Sequence, residues 1–261
     1  SFSFTSLAEK ILSTEGGAAV QTLSDAGRAV LVRRALEELQ DNVHYYHRHR
    51  RSAAFCQMAA QTIDELKSAG LSGRQLAQLA GACGAESGKL SELALIFQGY
   101  ETLLARSGMD PSDRLELAGA RLEEALARHS LPEFLRDRAV FIDEFDTFNA
   151  PKKRLLGALL AALPSVTVAL CDDGAPLLPG DLSLFSGAKQ VAAQLRQLAR
   201  KNGAEVAVPQ LLRKDLRHRN APGLAAVAEL LETGSCTADA PAGEVRLFAA
   251  PSREEEARAA A

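Results

Sequence analysis

The sequence predicts an α/β protein in which a helical block precedes a parallel sheet. Residues 7–130 place apolar side chains at helical spacing, and Leu31, Ala35 and Leu39 share one face of such a helix. From residue 139 onward, short apolar runs with β-branched residues alternate with helical segments. This alternation indicates parallel strands with helices packed on the faces of the sheet.

The predicted elements of the sheet region follow one another in a regular order. Strands are expected at Ala139–Ile142, Val166–Cys171, Glu205–Val208 and Val245–Ala249, with helices between them at Lys152–Leu163, Lys189–Lys201 and Pro222–Leu231. Pro151 falls in the first turn of its helix, where a backbone N–H would have no hydrogen-bond partner within the helix, so the proline causes no loss. The stretch Gly234–Gly243 is rich in small residues and predicts a linker.

The composition is that of a globular protein without a global attraction to nucleic acid. Hydrophobic residues make up 47% of the chain, charged residues 24%, and the net charge is −3. The cysteines are scattered without a metal-binding spacing, which predicts buried thiols in a reducing compartment. The sequence has no long uncharged apolar run, so we expect a cytoplasmic protein with no membrane partner. Because the chain starts without Met and ends soon after a capping pattern at Ser252 and Glu255, we expect a piece of a longer protein.

Asp143 and Glu144 directly follow the first predicted strand. In ATPases, an Asp at the end of a buried strand holds magnesium, usually through water, and the next Glu polarises the attacking water. The alternative is that two acids simply end a strand and begin a solvated turn. A glycine-rich segment ending in Lys and Ser or Thr, which would cradle the phosphates, occurs nowhere in these 261 residues.

A second carboxylate pair, Asp172 and Asp173, follows the next predicted strand. Because ligands bind outside the carboxyl ends of strands in open α/β sheets, these side chains are candidates to share one crevice with Asp143 and Glu144. The alternative is an ordinary Asp-Asp-Gly turn.

Further on, the basic cluster at residues 213–219 offers an arginine to a phosphate, and a solvated loop explains the same residues equally well.

Residues 44–51 form the one run that mixes aromatic and basic side chains, His-Tyr-Tyr-His-Arg-His-Arg-Arg. Aromatic rings beside cations suit single-stranded nucleic acid, through base stacking and phosphate attraction. Arg48, Arg50 and Arg51 are therefore candidate DNA-binding residues. A solvated helix end is the alternative interpretation.

Taken in order, several segments resemble superfamily-one helicases of the UvrD/Rep type, and most of all the B subunit of AddAB-type ATP-dependent helicase–nucleases. The matching segments are Phe4–Ala8 with the "TFHSLA" segment, Phe97–Leu115 with the helix pair before the second helicase motif, Phe141–Thr147 with the Walker B element "LVDEFQDT", Leu170–Asp173 with "VGDDDQ", Leu212–His218 with "LxxNYRS", and Glu244–Phe248 followed by Glu254–Arg258 with the start of the second motor domain. The resemblance covers nearly the whole chain.

The resemblance implies a fold and a domain order. The fold is an incomplete RecA-like (P-loop NTPase-like) parallel sheet with an inserted all-helical subdomain. The expected domains are an edge of the first RecA-like domain at 1–12, the helical subdomain at 13–132, the first RecA-like domain at 133–235, and a linker with the start of a second RecA-like domain at 236–261.

The resemblance also implies roles for residues. Phe4, Thr5 and Ser6, expected as a loop, would contact single-stranded DNA. Asp143 would bind magnesium and Glu144 would act on water. Nucleotide contacts would come from Asp172, Asp173 and Arg217, the last of these to the terminal phosphate.

Departures from the family pattern decide the expected function. The sequence lacks a Walker A segment, the Gln of "DEFQDT", and the Gln that follows "GDDD". B subunits of this family bind and scan DNA while a motor subunit drives translocation, and a nuclease domain with an iron–sulfur cluster follows. We therefore expect a region that binds single-stranded or double-stranded DNA in a helicase–nuclease subunit of double-strand-break repair and recombination. The region itself is expected not to be catalytic, with ATP and Mg²⁺ bound only in the full-length protein and only if its site is intact. The alternatives are a part of an active ATP-driven helicase and a non-enzymatic scaffold for a partner protein.

Overall fold

The computed structural model describes residues 1–39, 41–84, 87–212, 219–235, 245 and 248–260. In chain order the helices are α1 (Phe4–Glu15), α2 (Asp25–Glu38), α3 (Ala53–Ser68), α4 (Gly73–Ala80), α5 (Ser87–Ser107), α6 (Pro111–Ala127), α7 (Ala150–Ala162), α8 (Ser186–Lys201), α9 (Pro222–Thr233) and α10 (Arg253–Ala260), and the strands are β1 (Ala139–Ile142) and β2 (Ser165–Val168). The chain divides into two compact units, one with Ser1–Asp172 and Gly187–Val206, the other with Asp173–Ser186 and Ala207–Ala261.

Helices α2 to α5 of the first unit surround one hydrophobic core. On α2, Leu31, Val32, Ala35 and Leu36 are buried, which is the one-sided spacing predicted from the sequence. The helix N-termini are set by serine caps, because Ser24, Ser52 and Ser72 each accept a hydrogen bond from a backbone amide in the first turn. The core is therefore built from local signals that the sequence displays.

A second core in the same unit is formed by α1, α6, α7, α8 and the sheet. Strands β1 and β2 pair in parallel, with Ala139 opposite Ser165 and Ile142 opposite Val168. Side chains alternate along β1, so Ile142 is buried while Phe141 is 76% exposed on the other face. In the sequence, α7 connects β1 to β2, and parallel strands need a crossover connection of this kind.

Ion pairs tie the helices of the first unit together. Lys67 of α3 donates from Nζ to Asp110 and to Asp113, both at 2.7 Å, and the Tyr100 hydroxyl of α5 donates to Asp110 at 2.6 Å. Asp110 precedes α6 and is 1% exposed. One carboxylate thus joins three helices inside the protein.

The α/β class holds for the first unit, but the sheet is smaller than predicted. The strand expected at Glu205–Val208 is wrong: the segment has no regular structure, and Val208 is 87% exposed. A short apolar run becomes a strand only where another strand pairs with it, and this one follows the turn at Gly203 without such a partner among the described residues. The strand expected at Val166–Cys171 ends at Val168, and Val245–Ala249 falls partly outside the described residues.

Two further predictions concern the cap of α10 and the presence of membrane-spanning helices. Ser252 accepts a hydrogen bond from the Glu255 amide at 3.3 Å, which confirms that side of the predicted capping pattern before α10. Within the described ranges, none of the helices combines the length and the apolar character needed to cross a bilayer.

Candidate functional site

Two predicted acidic residues of the first unit follow the parallel strands along the chain. Asp143 directly follows β1, and Asp172 lies four residues after the end of β2. Because the strands are parallel, the polypeptide leaves both of them at the same edge of the sheet. A hydrogen bond from the Ala169 amide to the Ile142 carbonyl, 2.9 Å long, extends the strand pairing by one step. This is the edge at which open α/β sheets bind ligands.

Asp143 and Glu144 form a tight local turn at this edge. Asp143 accepts a hydrogen bond from the Glu144 amide at 2.9 Å, and both side chains are exposed. Glu144 has a φ of 64°, in the left-handed region that disfavours a side chain with a Cβ. The backbone therefore leaves the regular strand conformation at Glu144.

These residues suit part of a magnesium–nucleotide site. Magnesium keeps several waters and is usually held by one or two carboxylates together with substrate phosphates, so Asp143 fits as one such ligand. In the described residues, no group of three His, Cys, Asp or Glu side chains is placed to hold a metal by itself. Any nucleotide held at this edge would need its phosphates cradled by groups other than these carboxylates, since like charges repel.

The remaining predicted nucleotide contacts are less informative. Asp173 belongs to the second unit, where its side chain accepts a hydrogen bond from the Ala175 amide at 2.8 Å around Gly174, whose φ is 76°. This is the geometry of the turn that the sequence left open as an alternative. Arg217 lies outside the described residues.

The segment Phe4–Ser6 is a helix start and not the loop that we expected. Ser3 caps α1 by accepting from the Ser6 amide at 3.1 Å, and the Ser6 hydroxyl accepts in return from the Ser3 amide at 2.8 Å. This reciprocal capping stabilises a helical first turn. Phe4 is buried in the core, while Thr5 and Ser6 are exposed at the helix start.

An aromatic cluster brings this helix start to the loop that follows Asp143. The Phe4 ring meets Phe145 edge-on at 5.0 Å between centroids and Phe148 edge-on at 6.0 Å. Lys152 of α7 adds a cation, with Nζ 5.2 Å from the Phe145 centroid and 5.8 Å from that of Phe4. Sequence reasoning missed Lys152, although its place in the first turn of α7 after the acidic loop was a usable signal.

The predicted basic residues lie on the helical part of the first unit. Arg48 falls in a short 3-10 helix at His47–His49 and is exposed, as is Arg51 just before α3. Arg50 is half-buried, with Nη1 3.3 Å from Nδ1 of His47. These residues are far in sequence from the aromatic cluster, and no residue belongs to both groups.

Glu92 of α5 organises the beginning of this basic segment. Its carboxylate accepts hydrogen bonds from the amides of His44 and Tyr45 at 2.8 Å and of Tyr46 at 3.1 Å. Burial by itself raises the pKa of Glu92, but the hydrogen bonds from these amides outweigh burial and lower it. The charged carboxylate is thus a structural part of the turn.

Comparison with known proteins identifies a family and relatives that match most of this chain. The family model described as "ADDB, N-terminal" matches residues 1–228. The chain is 33% identical to the B subunit of the ATP-dependent helicase/deoxyribonuclease of Desulforudis audaxviator, and 32% identical to the protein of the same name from Symbiobacterium thermophilum, with 99% of the chain aligned in both cases. It is 29% identical to the corresponding Geobacillus kaustophilus protein, with 100% of the chain aligned.

The aligned region is a limited part of these relatives. It spans 22% of the Desulforudis protein and 23% of the other two. The match nevertheless covers most of this chain, and it confirms the resemblance drawn from the motifs. The chain therefore belongs to the ADDB N-terminal family, that of the helicase/deoxyribonuclease B subunits.

Proposed function

We propose that this chain is the DNA-handling, helicase-like region of the B subunit of an ATP-dependent helicase/deoxyribonuclease. In this proposal it binds single-stranded DNA and does not itself hydrolyse ATP. The parent protein acts in double-strand-break repair and recombination, together with a motor subunit. The names of the relatives support the helicase–nuclease context, and the parallel pair β1–β2 is consistent with a RecA-like sheet.

The observation that carries the proposal is the contact between the α1 start and the acidic loop. The family resemblance assigns DNA contact to Phe4–Ser6 and the nucleotide edge to Asp143 and its neighbours. The edge-to-face packing of Phe4 on Phe145 and Phe148 makes these two segments neighbours. A displacement of the acidic loop would therefore shift the first turn of α1, which is the coupling that a DNA-handling region needs.

The chemistry at the α1 start favours a phosphate backbone. Amide groups in the first turn of a helix and the positive end of its dipole attract anions. Thr5 offers a hydroxyl group on the exposed side, and Lys152 adds a positive charge next to the same aromatic cluster. These groups contact phosphates without reading bases, so the expected binding is independent of DNA sequence.

Thr5→Glu tests this assignment with little risk to the fold. An acid in the first turn stabilises the helix, yet it repels a phosphate by about 1 kcal/mol at contact distance in water, which weakens binding about five-fold. The measurement is fluorescence anisotropy of a labelled single-stranded oligonucleotide with the 261-residue chain, over a series of salt concentrations. Thr102→Glu, an exposed threonine on α5, is the matched control and should bind as the wild type does.

The salt series separates this proposal from a protein-binding scaffold. For single strands, each phosphate contact contributes about −0.7 to the slope of log affinity against log salt concentration. Binding that does not weaken with salt, or equal affinities for Thr5→Glu and Thr102→Glu, would refute DNA contact at the α1 start. Absence of any DNA binding would favour the scaffold.

The second candidate is a part of an active ATP-driven helicase, and it is favoured by the parallel pairing of β1, which Asp143 directly follows, with β2. Asp143 would then hold magnesium and Glu144 would polarise water, once other segments of the protein cradle the phosphates. The test is DNA-stimulated ATPase activity of the full-length protein with and without Glu144→Gln. Undiminished turnover in that variant would exclude Glu144 as the base.

A further inference from the structure

The turn at residues 43–46 is held rigidly from two sides. Val43 is 2% exposed and anchors the segment in the helical core. The Glu92 carboxylate takes hydrogen bonds from the amides of His44, Tyr45 and Tyr46, at 2.8, 2.8 and 3.1 Å. Charge-assisted bonds of this kind are about twice as strong as neutral ones, so the turn is fixed before any ligand arrives.

This fixed turn presents one aromatic ring to solvent. Tyr45 is 55% exposed, whereas Tyr46 behind it is half-buried and meets it edge-on at 5.1 Å. Tyr46 packs in turn on Phe55 of α3, at 5.3 Å and 30° between ring planes, and His49 also lies against Phe55. Tyr46 and Phe55 are half-buried in the protein, and Tyr45 is the more exposed ring of the group.

A lysine contacts the exposed ring, and two exposed arginines follow it on the same segment. Lys89 of α5, one helical turn before Glu92, places Nζ 5.2 Å from the Tyr45 centroid. Arg48 and Arg51 are exposed on the same short segment, and residues 44–51 contain no acidic side chain. Among the residues that the structure describes, Glu92 places a carboxylate on this turn, and its oxygens accept hydrogen bonds from backbone amides.

We propose that Tyr45, Lys89, Arg48 and Arg51 form a second contact for single-stranded DNA, here named the Tyr45 platform. A base stacks on Tyr45, and the cations bind the flanking phosphates. Glu92 is a positioning residue that holds the turn. The proposal rests on the proposed function only in taking DNA as the ligand, because the platform lies on the helical part of the chain and shares no residue with the α1 start.

Ring and cations together favour nucleic acid over an acidic protein surface. An acidic surface needs only the cations, and the exposed tyrosine would then be left without a role. A single strand uses both, because stacking on an aromatic ring stabilises a bound base and phosphates pair with Lys and Arg.

The absence of tryptophan from this chain provides a direct test. Tyr45→Trp introduces a single tryptophan at the platform, which can be excited at wavelengths where DNA does not absorb. The probes are a single-stranded oligothymidine and an abasic oligomer of equal length, which carries the same phosphates but no bases. We expect oligothymidine to quench the emission and the abasic oligomer to bind without this quenching. Val30→Trp, at a 63% exposed position of α2, is the control and should respond to neither probe.

Three variants extend the test to the individual contacts. Tyr45→Ala should weaken oligothymidine binding by about five-fold or more, the lower end expected for one stacked base, and leave abasic binding unchanged. Lys89→Ala should reduce the salt dependence for both oligomers. Glu92→Ala in the Tyr45→Trp protein should abolish quenching while abasic binding persists, an outcome that unfolding would not produce.

Each result identifies which idea fails. If oligothymidine binds but neither quenches Tyr45→Trp nor distinguishes Tyr45→Ala from wild type, the platform is refuted and the α1 contact stands. If quenching occurs with polyglutamate and not with oligothymidine, the surface binds an acidic protein and the proposal is overturned. If the wild-type chain binds neither oligomer, the platform and the proposed function fall together.

Discussion

Replacement of Lys67 by methionine should be among the most damaging single changes in the first unit. The ammonium group donates to Asp110 and Asp113, and its side chain is 11% exposed against 1% for that of Asp110. Methionine has a similar length but no charge, so Asp110 would remain buried with the Tyr100 hydroxyl as its main side-chain donor. A carboxylate in that position pays a desolvation penalty that its former partner offset.

The size of the effect follows from this burial. Removing one partner of a buried ion pair costs about 3–5 kcal/mol, and the surviving bond from Tyr100 places Lys67→Met near the lower limit. With a denaturant dependence of about 2–3 kcal/mol per molar urea, the unfolding midpoint should fall by about 1 M or more. Far-UV circular dichroism measures the midpoint, and equal slopes for wild type and variant validate the comparison.

Two companion variants test the reasoning. Lys201→Met removes an exposed lysine at the end of α8 and should change stability by no more than about 0.5 kcal/mol. Tyr100→Phe should cost about 1–3 kcal/mol and should not be additive with Lys67→Met, because both changes act on one carboxylate. Equal midpoints for Lys67→Met and Lys201→Met would refute the claim that this ion pair stabilises the unit.

The same network predicts a dependence on alkaline pH. Burial by itself lowers the pKa of Lys67, but the hydrogen bonds to Asp110 and Asp113 outweigh burial and raise it. A raised folded-state pKa stabilises the protein fully below the unfolded value of about 10.4, and this stabilisation is lost as the pH rises through the folded value. The stability gap between wild type and Lys67→Met should therefore be constant near neutrality and narrow above about pH 10.4.

Three more changes have clear expected outcomes in urea unfolding. Gly108→Ala should lower the free energy of unfolding by about 1–3 kcal/mol, because its φ is +153° and the new Cβ would lie 2.6 Å from a backbone oxygen. Gly88→Ala is the control: it has open space around it and should be neutral or slightly stabilising. Glu144→Gly should raise stability by about 1 kcal/mol by relieving the left-handed backbone, and an unchanged midpoint would show that the turn stores no strain. Arg114→Met should cost about 1.5–3 kcal/mol, because this buried guanidinium donates to the half-exposed Glu9 of α1, with Nε 2.6 Å from Oε1. Limited proteolysis should then cut α1 first, and unchanged cleavage would contradict this role.

Local signals predicted much of the fold. The strand Ala139–Ile142 has the bounds read from its apolar run, and α9 begins at Pro222 as predicted. Helix α7 begins two residues earlier than expected, at Ala150, because Asn149 caps it by accepting from the Lys152 amide. Such elements are determined by side-chain spacing and capping within a few residues, so the sequence displays them.

Other features depended on partners that the sequence does not reveal. The apolar run at Glu205–Val208 has the composition of a strand but pairs with none in the described residues. Phe4–Ser6 was expected as a loop, although Ser3 and Ser6 cap each other into a helix without the usual Glu or Gln. In both cases the local pattern was compatible with two structures, and the hydrogen-bonding partner decided between them.

In the candidate site, too, some features were determined by the sequence and others only by the tertiary structure. By itself, the sequence determined which residue types are available, namely carboxylates after predicted strands and a basic aromatic run, and the order of motifs determined the family. Tertiary structure alone decided that β1 and β2 are parallel neighbours, that Phe4 meets Phe145, and that Glu92 fixes a turn 46–48 residues away in sequence. The physical reason is that packing and hydrogen bonding between distant segments depend on how helices and strands are arranged in space, which periodicity within one segment does not encode.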